Sequence, residues 1–448
     1  MTHHATLPLP GPGQWAAEDA PPTMARRRDD GSHGLLPRLM PARPGPVDLA
    51  EHLERLGAPP YRGTPRRLIG DVEAAGLTGR GGAAFPTHRK LAAMAAGRGP
   101  APVVIGNGAE GEPASSKDKA LLWFSPHLVL DGLQLAAEAV GSATVGLYIH
   151  RNPQLYERLQ VAIAQRAAAG LDAALVELTE APHRFLAGEE SALASRVSGG
   201  PALPRFKPPR ASQRGVAGRR TLVQNVETLA HLALIARYGP GWFRSAGTPD
   251  EPGSMLATLH QADGRTGVVE TTLGMPIADL LRLPAQAVLV GGYHGTWLPG
   301  AEAERLPLAN AALRPLGAAV GAGVLAALPG DRCGVAETAR VVSYLALESA
   351  GQCGPCFNGL PRMAGALAEL AGPRPRPQAH ADLQRWSGLV AGRGACHHPD
   401  GTVRLVRSAL QVFAAEIDHH AHGYCTGTSG RPFLPLPAEP PLDDADWR

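Results

Sequence analysis

The stretch APVVIGNGAEGEP, Ala101–Pro113, is the part of the sequence that decides the fold. Its first half is a short apolar run, which is typical of a buried strand. Its second half is a glycine turn that carries Asn107, Glu110 and Glu112. In α/β folds, ligands bind at the loops that follow the strands. The stretch therefore predicts a strand that leads into a binding site with an amide and two carboxylates; solvated turn carboxylates are the alternative.

The sequence after this strand alternates between strand and helix patterns. SATVGLYIHR, from Ser142, predicts a second strand. NPQLYERLQVAIAQRAAAG then predicts a helix, with Asn152 as its N-cap and Pro153 at its first helical position. Because the alternation continues to about residue 245, we expect an α/β layer structure.

The pattern changes twice after residue 245. Short β-like runs between about residues 250 and 330, separated by Gly and Asp turns, predict a small β-rich domain. Its last part, LGAAVGAGVLAAL from Leu316, predicts a buried loop and strand. From residue 331 the pattern is helical, with helices expected at Leu360–Leu370, Asp382–Leu389 and Thr402–His419.

The two ends of the chain differ from the rest in composition. Residues 1–60 are rich in Pro, Gly and Arg, and residues 426–448 are Pro-rich and acidic. Because such segments bury little apolar surface, we expect a mostly disordered lead and a tail of the same kind. The predicted domains between them are 61–245, 246–330 and 331–425.

Length, charge and cysteine content exclude several classes of protein. A chain of 448 residues with 44% hydrophobic residues is typical of a globular protein of about two or three domains. A net charge of +3 gives no electrostatic basis for binding nucleic acid. The longest apolar run is 13 residues, shorter than the roughly 18–20 that cross a membrane. Without a recognisable signal peptide, and with only five cysteines, the chain is expected to be cytoplasmic, where paired cysteines more often bind metal.

Lysine is rare in this chain, with 4 lysines against 39 arginines. In so arginine-rich a composition, a lysine indicates a place where the planar guanidinium would not fit. All four, Lys90, Lys117, Lys119 and Lys207, lie between residues 79 and 210. We expect Lys90 to lie beside a phosphate, whereas Lys119 could equally be a solvated surface residue.

A second glycine-rich stretch, GLTGRGGAAFPTHRK, spans Gly76–Lys90. Its glycines at positions 79, 81 and 82 let backbone N–H groups approach an anion closely, because no Cβ intervenes and positive φ is allowed. Arg80 and Lys90 would add positive charge for a phosphate. A glycine-rich structural turn is the alternative.

Two later stretches carry polar groups at predicted helix starts. FLAGEESAL, Phe185–Leu193, places Glu189 and Glu190 where they could bind a ligand or simply complement the helix dipole. LVQNVETLAHL, Leu222–Leu232, places Asn225 at a predicted N-cap, and capping alone would explain that residue.

The stretch ESAGQCGPC, Glu348–Cys356, contains a cysteine pair with metal-binding spacing. Two residues separate Cys353 from Cys356, and Cys396 follows forty residues later. A C-x-x-C-x-x-C motif would have another cysteine at position 350, where this chain has Ala350. Spacing alone therefore indicates an iron–sulfur site that lacks one ligand, a zinc site, or no metal site.

In their order and spacing, these motifs resemble those of the NADH-binding flavoprotein subunit of respiratory complex I and its relatives in NAD-linked hydrogenases and formate dehydrogenases. That family has GRGGAGFPTGxK, CNADExEPG, CGEETAL and NNVETL around FMN and NADH. This sequence has GRGGAAFPTHRK, GNGAEGEPA, AGEESAL and QNVETL. The resemblance covers roughly residues 60–420. It implies an α/β fold with a Rossmann-like FMN/NADH-binding domain, followed by a β-grasp (SLBB-like) domain and a C-terminal helical iron–sulfur domain.

The resemblance also implies which residues surround the cofactors. Those expected around FMN are Gly79, Arg80, Gly81, Gly82, Lys90, Asn107, Glu110, Gly188, Glu189, Asn225 and Thr228. Glu112 and Glu190 would lie toward the nicotinamide nucleotide, with Phe85 as a stacking ring. Glycine backbone and lysine suit a phosphate, amides suit a flavin ring and carboxylates suit hydroxyl groups, so the chemistry agrees with the resemblance.

The sequence departs from the family at the dinucleotide site. Among the family's stacking aromatic residues only Phe85 is retained; residues 91–94 hold no aromatic side chain, Arg210 replaces a phenylalanine and Phe185 replaces a tyrosine. Ala109 replaces the acid of the NADE motif. Because each lost ring costs on the order of 1 kcal/mol, the sequence supports FMN binding more strongly than NADH binding. Arg210 could instead favour a phosphorylated dinucleotide, NADPH.

The family's cluster motif is C-x-x-C-x-x-C with a fourth cysteine about forty residues later. Cys353, Cys356 and Cys396 match its last three positions, which implies a [4Fe–4S] cluster with a fourth ligand from elsewhere or with one open iron. A [3Fe–4S] cluster also fits three thiolates. The candidate substitutes for the missing ligand are Cys333, His397, His398 and Cys425. A Cys₃His zinc site and an empty site are the alternatives.

The resemblance thus implies an iron–sulfur flavoprotein, an oxidoreductase of the NADH dehydrogenase kind. It would take hydride from NADH or NADPH onto FMN and pass single electrons through the cluster to a redox partner, either a ferredoxin-like protein or another component of a complex. The competing hypothesis is a binding or scaffold protein that kept the fold and lost one or both cofactors. Ala350 and the missing aromatic residues favour the scaffold, whereas the glycine loop and Lys90 oppose it.

Overall fold

The computed structural model describes residues 5–6, 25–26, 38–41, 45–206, 208–437 and 447. Most of the predicted lead, the last part of the predicted tail and Lys207 lie outside the described residues. Within those ranges, every helix is too short or too polar to span a bilayer.

A parallel sheet forms the centre of the first domain. Its strands follow a two-residue antiparallel pair, β1 (Ala5–Thr6) and β2 (Ala25–Arg26), and are β3 (Val103–Gly108), β4 (Thr144–His150), β5 (Val176–Ala181) and β6 (Thr221–Asn225). The order β5–β4–β3–β6 is parallel throughout. From β3 the chain therefore adds β4 and β5 on one side of the sheet and then adds β6 on the other side of β3. The strand order thus reverses between β3 and β6. Such a reversal is where open α/β sheets form a ligand crevice.

Helices cover both faces of this sheet. They are α1 (Leu49–Leu56), α2 (Pro65–Ala75), α3 (Thr87–Ala95), α4 (Lys117–Phe124), α5 (Pro126–Val140), α6 (Pro153–Ala168), α7 (Glu190–Val197), α8 (Ala211–Arg214) and α9 (Val226–Arg244). On β3, Val104 faces the core shared with α5 and α9, whereas Val103 and Ile105 face the core shared with α7. The predicted α/β layers, the strand VVIGNG and the helix capped by Asn152 are confirmed.

The second domain is a mixed sheet of five strands. These are β7 (Ser254–His260), β8 (Thr266–Thr272), β9 (Ala287–Val290), β10 (Thr296–Pro299) and β11 (Val324–Leu328), with α10 (Ile277–Leu280), α11 (Gly300–Ala303) and α12 (Asn310–Leu313) between them. In the order β10–β9–β11–β7–β8, strands β7 and β11 run parallel side by side and the other neighbours are antiparallel. That is the β-grasp arrangement, so the predicted β-grasp domain is confirmed.

The third domain is helical, as predicted. It consists of α13 (Gly334–Leu347), a π-helical turn (Pro355–Gly359), α14 (Leu360–Ala371), α15 (Ala379–Val390), α16 (His398–Val412) and α17 (Ala414–Ala421). The single helix expected at Thr402–His419 is wrong, because it ends at Phe413 (φ −104°, ψ 25°) and a new helix begins. Phe413 is buried against Trp297 of β10, with ring centroids 5.4 Å apart, which explains the break. The domain boundaries proposed near residues 245 and 330 fall between elements and stay predictions.

The expectation of a disordered lead is wrong for the residues described within it. Leu39 and Met40 are fully buried. Their N–H groups, together with that of Arg38, donate to one carboxylate oxygen of Glu270 on β8. α1 follows in the same segment. A few apolar residues can fill a groove of a folded domain even where the segment around them is rich in Pro and Gly, and composition does not reveal such a groove.

The expectation of a disordered tail is wrong in the same way for part of its length. Phe433, Leu434 and Trp447 are buried. The N–H groups of Phe433 and Leu434 each donate to the carboxylate of Glu337 on α13 at 3.1 Å. This part of the tail is therefore tied to the helical domain by both apolar burial and hydrogen bonds.

Candidate functional site

The crevice between the carboxyl ends of β3 and β6 brings two predicted site residues together. Asn107 and Asn225 are register partners at the ends of these strands. Asn225 caps α9, since its Oδ1 accepts from the N–H of Glu227 at 3.0 Å. Asn107 Nδ2 donates to the carbonyl oxygen of Gly188 at 2.8 Å. Two strand ends, a helix N-terminus and the loop before α7 therefore meet at one point.

The glycine loop lies over this crevice. A Cβ on Gly81 would lie 3.2 Å from the Cβ of Asn225, so backbone and asparagine are in close contact. Gly82 has φ +102°, which strains any other residue. Both glycines are exposed, and within the described part of the chain their N–H groups make no hydrogen bond. Unused N–H groups beside the start of a long helix are what a phosphate group requires.

The guanidinium of Arg80 does not face the exposed side of this loop, contrary to the expectation that it adds charge for a phosphate. It is buried and donates to the carbonyl oxygens of Pro252 and Ser254, each at 3.3 Å. Burial lowers its pKa, and the carboxylate of Glu227, 4.0 Å away, opposes that effect. The backbone N–H of Arg80 donates to Thr228 Oγ1 at 2.9 Å. Arg80 and Thr228 therefore hold the loop against α9 and β7.

Lys90 and Phe85 remain at the open side of the site. Lys90 is half-buried on α3, and its Nζ lies 3.4 Å from the carbonyl oxygen of Val223 on β6. Phe85 ends the glycine loop with 42% of its surface exposed. The ammonium of Lys90 near β6 and the exposed ring of Phe85 at the end of the glycine loop are compatible with the predicted phosphate and stacking roles, which stay predictions.

Two of the predicted carboxylates cap helices. Glu110 accepts from the N–H groups of Lys117 at 3.0 Å and Lys119 at 3.2 Å, at the start of α4. Glu189 is the N-cap of α7 and accepts from Ser191 N at 2.9 Å. The predicted helix start in this stretch is thereby confirmed. Because both carboxylates satisfy helix N–H groups, their direct contact with a cofactor stays a prediction.

Gly188 and Glu190 flank that cap. A Cβ on Gly188 would lie 2.5 Å from the carbonyl oxygen of Ala109, so only glycine allows the loop before α7 to approach the loop after β3. Glu190, the first residue of α7, is half-buried. The two predicted loops therefore lie against each other on one side of the crevice.

Glu112 connects the first domain with the β-grasp domain. Its Oε2 accepts from the N–H of Tyr293 at 2.7 Å, and its Oε1 accepts from Ala114 N at 3.2 Å. A Cβ on Gly292 would lie 2.5 Å from the carboxylate, so glycine is required there as well. Burial raises the pKa of Glu112 to about 8, although the two N–H donors oppose the shift. The carboxyl group therefore holds a proton at neutral pH.

A buried charge group below the crevice was not predicted from the sequence. Lys117 Nζ lies 2.6 Å from Asp118 Oδ1 and 2.9 Å from Glu227 Oε2, and all three side chains are almost fully buried. Burial lowers the pKa of Lys117, but the surrounding carboxylates outweigh it and raise the pKa overall. Asn225 Nδ2 donates to Asp118 Oδ2 at 2.6 Å, so the group fixes the asparagine in the crevice. The rarity of lysine was the one sequence signal for Lys117.

The three predicted cluster cysteines lie together in the helical domain. Cys353 and Cys356 lie in the turn between α13 and α14, and Cys396 lies just before α16. Burial raises the pKa of Cys356 to about 12, the nearby Cys353 and Cys396 thiols act in the same direction, and a hydrogen bond with Ser349 lowers it. Three converging thiols on one domain suit an iron–sulfur cluster.

Apolar side chains fill the position of the missing ligand. Ala350 is buried with Cys396, Leu186 and Trp447 in one small cluster, with Phe185 against it. The methyl group of Ala350 thus faces the same space as the Cys396 thiol. A cysteine at this position would lie beside Cys396.

Three of the four candidate substitutes for the missing ligand, His398, Cys333 and Cys425, have other partners. The side chain of His397 is 95% exposed. His398 uses both ring nitrogens, with Nε2 2.8 Å from the carbonyl oxygen of Leu345 and Nδ1 3.0 Å from His294 Nε2. Cys333 and Cys425 lie instead with Glu416 and His420.

The geometry also disfavours a single zinc ion at Cys353, Cys356 and Cys396. A mononuclear zinc site needs its ligand atoms close together around one ion. Among the described residues, the cysteines 353, 356 and 396 are not part of a group whose ligand atoms all lie within 4.8 Å of one another. Ligands of a cluster attach to different iron atoms and can be farther apart.

The donors of the crevice between β3 and β6 fit FMN, since N–H groups and an ammonium suit its phosphate and amides suit its ring.

Comparisons with known proteins agree with this arrangement. The family model described as the Nuo51 FMN-binding domain matches residues 72–234, and the NADH-ubiquinone oxidoreductase-F iron-sulfur binding region matches residues 336–420. The second F-type subunit (F 2) of NADH-quinone oxidoreductase in Rhizobium meliloti is 28% identical over 376 residues, which cover 80% of this chain and 89% of the relative. The F-type subunit of the same enzyme in Streptomyces coelicolor is 28% identical over 389 residues, covering 83% and 85%.

A solved structure is similar as well. The crystal structure of an NAD⁺-reducing [NiFe]-hydrogenase in the H₂-reduced state superposes with a TM-score of 0.73 at 30% identity. The match covers 80% of this chain and 62% of the hydrogenase chain, so this chain spans less than two thirds of that relative. With an FMN-binding domain, an iron–sulfur binding region and oxidoreductases as relatives, the chain belongs to the family of F-type subunits of NADH-quinone oxidoreductase, the NADH-binding flavoproteins, as a divergent member with an incomplete cysteine motif.

Proposed function

We propose that this chain oxidises NADH or NADPH with FMN held between β3 and β6, and passes the electrons singly through a cluster at Cys353, Cys356 and Cys396 to a protein partner. FMN supplies the chemistry, because it accepts hydride and gives up electrons one at a time. The observation that carries the proposal is the pairing of Asn107 with Asn225 under an exposed glycine loop, in which the N–H groups of Gly81 and Gly82 make no hydrogen bond to any described residue.

In this proposal the chain binds and orients rather than reacts. The N–H groups of Gly81 and Gly82, with the ammonium of Lys90, hold the phosphate, and the two asparagine amides face the flavin ring. The neutral carboxyl group of Glu112 avoids adding a negative charge beside the phosphates of a dinucleotide. The remaining predicted contacts, from Gly79, Phe85, Gly188, Glu190 and their neighbours, are part of the same proposal.

The partner is expected to approach beside the cysteine turn. Phe357 follows Cys356 directly and has 74% of its surface exposed. Leu347, at the end of α13, and Leu389, near the end of α15, are also exposed, at 51% and 44%. Large exposed apolar side chains around a redox centre are typical of a docking surface for another protein. A ferredoxin-like protein or another component of a complex is the proposed partner, and the low, odd number of cysteines supports a reducing, cytoplasmic location.

The test is an absorption spectrum of anaerobically purified protein, with flavin, iron and zinc assayed on the same sample. We expect bound FMN, iron at the cysteine site, and bleaching of the flavin by NADH or NADPH. Protein with neither flavin bands nor cluster absorbance would support the scaffold hypothesis instead. If the flavin is present and both dinucleotides reduce it poorly, oxidation of a nicotinamide nucleotide is the wrong activity.

Gly82→Ala tests the crevice itself. We expect the variant to lose FMN, because the loop no longer presents its N–H groups. Gly99→Ala is the matched control, since Gly99 has φ +99°, close to the +102° of Gly82, and lies in the open before β3. Both substitutions strain the backbone alike, so FMN loss in both variants would indicate general destabilisation and contradict the assignment.

A further inference from the structure

A second group of metal-binding side chains lies apart from the cysteines 353, 356 and 396. Cys333, Glu416, His420 and Cys425 each offer one ligand atom, and these four atoms all lie within 4.8 Å of one another. The first three residues are buried and Cys425 is exposed. In the sequence alone, Cys333 and Cys425, which lie 92 positions apart, have the character of ordinary thiols.

Three elements bring the four side chains together. Cys333 is the N-cap of α13, and Glu416 and His420 lie one turn apart on the same face of α17. Cys425 follows in the segment after α17. Gly427 lets that segment approach, since a Cβ there would lie 2.7 Å from the backbone nitrogen of Cys333. The close approach of this segment to Cys333 therefore requires a glycine at position 427.

The orientation of His420 favours an ion in the middle of the group. Its Nδ1 contacts the carbonyl oxygen of Leu370 at 2.8 Å, which places the ring proton on Nδ1 and turns Nε2 inward. Nε2 then lies 3.1 Å from Glu416 Oε1 and 3.6 Å from Cys333 Sγ. Nε2 and Oε1 would be two acceptors facing each other, so a further proton or a metal ion must lie between them. A histidine whose other nitrogen donates to a carbonyl is the usual form of a metal ligand.

Other contacts support the remaining ligands. The N–H of Ala336 donates to Cys333 Sγ at 3.3 Å at the start of α13 and fixes the position of the sulfur. The N–H of Thr426 donates to Glu416 Oε1 at 2.9 Å and fixes the carboxylate. Each of these ligands therefore has a partner that holds it in place, as the outer contacts of metal sites do.

The donor set identifies the ion. Two thiolates, an imidazole and a carboxylate form a tetrahedral set of the kind that Zn²⁺ binds. Bonds of about 2.0–2.3 Å put such ligand atoms about 3.3–3.8 Å apart, so the observed group needs to contract by only about 1 Å. Binding would release the proton of each thiol. We propose that Cys333, Glu416, His420 and Cys425 bind one Zn²⁺ ion in a structural site that is independent of the FMN and cluster sites.

The site would fasten the segment that follows it. Beyond Cys425 the chain runs along α13, where Phe433 N and Leu434 N donate to Glu337. It then reaches the β-grasp domain, where the hydroxyl of Tyr293 donates to the carbonyl oxygen of Pro435. A zinc ion at the start of this segment, at Cys425, would hold the segment against the helical domain. It would thereby support the contact of the segment with the β-grasp domain.

The test is the zinc content of the full chain, expressed with zinc in the medium and purified under reducing conditions, with iron measured on the same samples. We expect one zinc per chain in the wild type. His420→Gln and Cys425→Ser should lose zinc and keep iron, whereas Cys353→Ser should lose iron and keep zinc. His422→Gln is the matched control, because this exposed histidine just beyond α17 is outside the group and should retain both metals.

Loss of zinc from Cys353→Ser together with its retention in Cys425→Ser would overturn the proposal. Wild-type protein that takes up no zinc would overturn it as well. A Cys333–Cys425 disulfide in anaerobically purified protein would overturn it as well. A variant that fails to fold does not block the test, because titrating the wild-type thiols with a mercurial should release the zinc. The amides of Phe433 and Leu434 should exchange faster once a chelator removes the ion; unchanged exchange would refute the fastening role. None of these readouts depends on flavin, so failure of the proposed function is seen separately.

Discussion

Ala84 has φ +48°, a left-handed conformation that costs an L-residue with a Cβ about 1–2 kcal/mol. In the family motif this position of the glycine loop is a glycine. We expect Ala84→Gly to raise the free energy of unfolding by roughly 1 kcal/mol, after the greater entropy of an unfolded glycine is subtracted. Urea denaturation at equal cofactor loading measures the effect. Ala83→Gly is the matched control next to it, and it should destabilise; a gain in both variants would rule out relief of strain at Ala84.

Glu112 gives the fold a pH dependence. Its pKa rises from 4.5 to about 8 on folding, so between these values the folded chain holds one more proton than the unfolded chain. The free energy of unfolding contributed by this group therefore falls as pH rises through that window and is constant above it. We expect the wild type to lose more stability than Glu112→Gln between about pH 5 and about pH 8. The free energy of unfolding of both proteins is measured by denaturant titration across this pH range. If it changes equally with pH in wild type and in Glu112→Gln, the pKa of the carboxyl group is not raised by folding.

Ala350 is the position at which a fourth thiolate should restore a complete cluster motif. Its side chain is buried beside Cys396. We expect Ala350→Cys to increase the iron bound per chain and to slow its loss in air, because the fourth iron gains a protein ligand. Ala350→Ser is the control of similar size without a thiol. Iron analysis and electron paramagnetic resonance of the reduced protein measure the change, and equal iron in all three proteins would mean that the wild-type site is already complete.

At the scale of elements, Lys117 on α4 joins α9 and β7. It pairs with Asp118 and with Glu227, whose Oε1 accepts from the N–H of Leu256 on β7 at 3.0 Å. Lys117→Met would leave Asp118 without its cation and Glu227 with only the more distant Arg80, 4.0 Å away, and we expect a loss of about 3–5 kcal/mol of stability. Adding Glu227→Gln should restore part of it in a double-mutant cycle.

Lys119→Met serves as the control for that cycle. Lys119 is half-buried on the same helix, and we expect its substitution to change stability by about 0.5 kcal/mol or less. Denaturation by urea compares the proteins. Similar stabilities for both lysine variants would show that the buried charge group contributes little to the junction of these elements.

The helices and strands were largely predictable from the sequence. The residues that cap the helices were harder to predict. Apolar runs such as Val103–Gly108 and the pair Asn152–Pro153 carry their structure locally, so strand β3 and helix α6 were predicted. Glu110 caps a helix that begins seven residues later, and the capping rules look only at adjacent positions. Its carboxylate was therefore assigned to the cofactor side from its place in the loop after β3 and from its motif position.

At the scale of the whole molecule, contacts between domains determine how side chains are oriented and grouped, which sequence motifs do not reveal. Arg184 of the first domain pairs with Glu348 of the helical domain at 3.1 Å, with both side chains buried. Phe185 packs edge-on against His294, with centroids 4.7 Å apart, and also contacts His398. No local period or spacing relates residues this far apart in sequence. The orientation of Arg80 and the grouping of Cys333 with Cys425 depend on the same kind of long-range contact, which explains why sequence reasoning missed them.

Trp447, near the end of the chain, closes the first domain over the cysteine site. Its carbonyl oxygen accepts from Ala202 N at 2.7 Å, its ring lies 3.9 Å from the guanidinium carbon of Arg184, and it is buried with Ala350 and Cys396. Removing so large a side chain opens space beside Cys396, one of the three proposed cluster ligands. We therefore expect Trp447→Ala to lose iron several-fold faster in air, with the same iron content as wild type when purified anaerobically and with FMN retained.

Trp386→Ala is the matched control for this prediction. Trp386 stacks on two arginines of the helical domain, at 4.6 and 4.4 Å, and it is not part of the Trp447 cluster. The decay of cluster absorbance after exposure to air measures the effect in both variants. Equal decay in wild type and Trp447→Ala would show that the ring does not shield the cluster. Iron already missing from anaerobic Trp447→Ala would mean that the ring supports assembly of the site rather than its protection from solvent and oxygen.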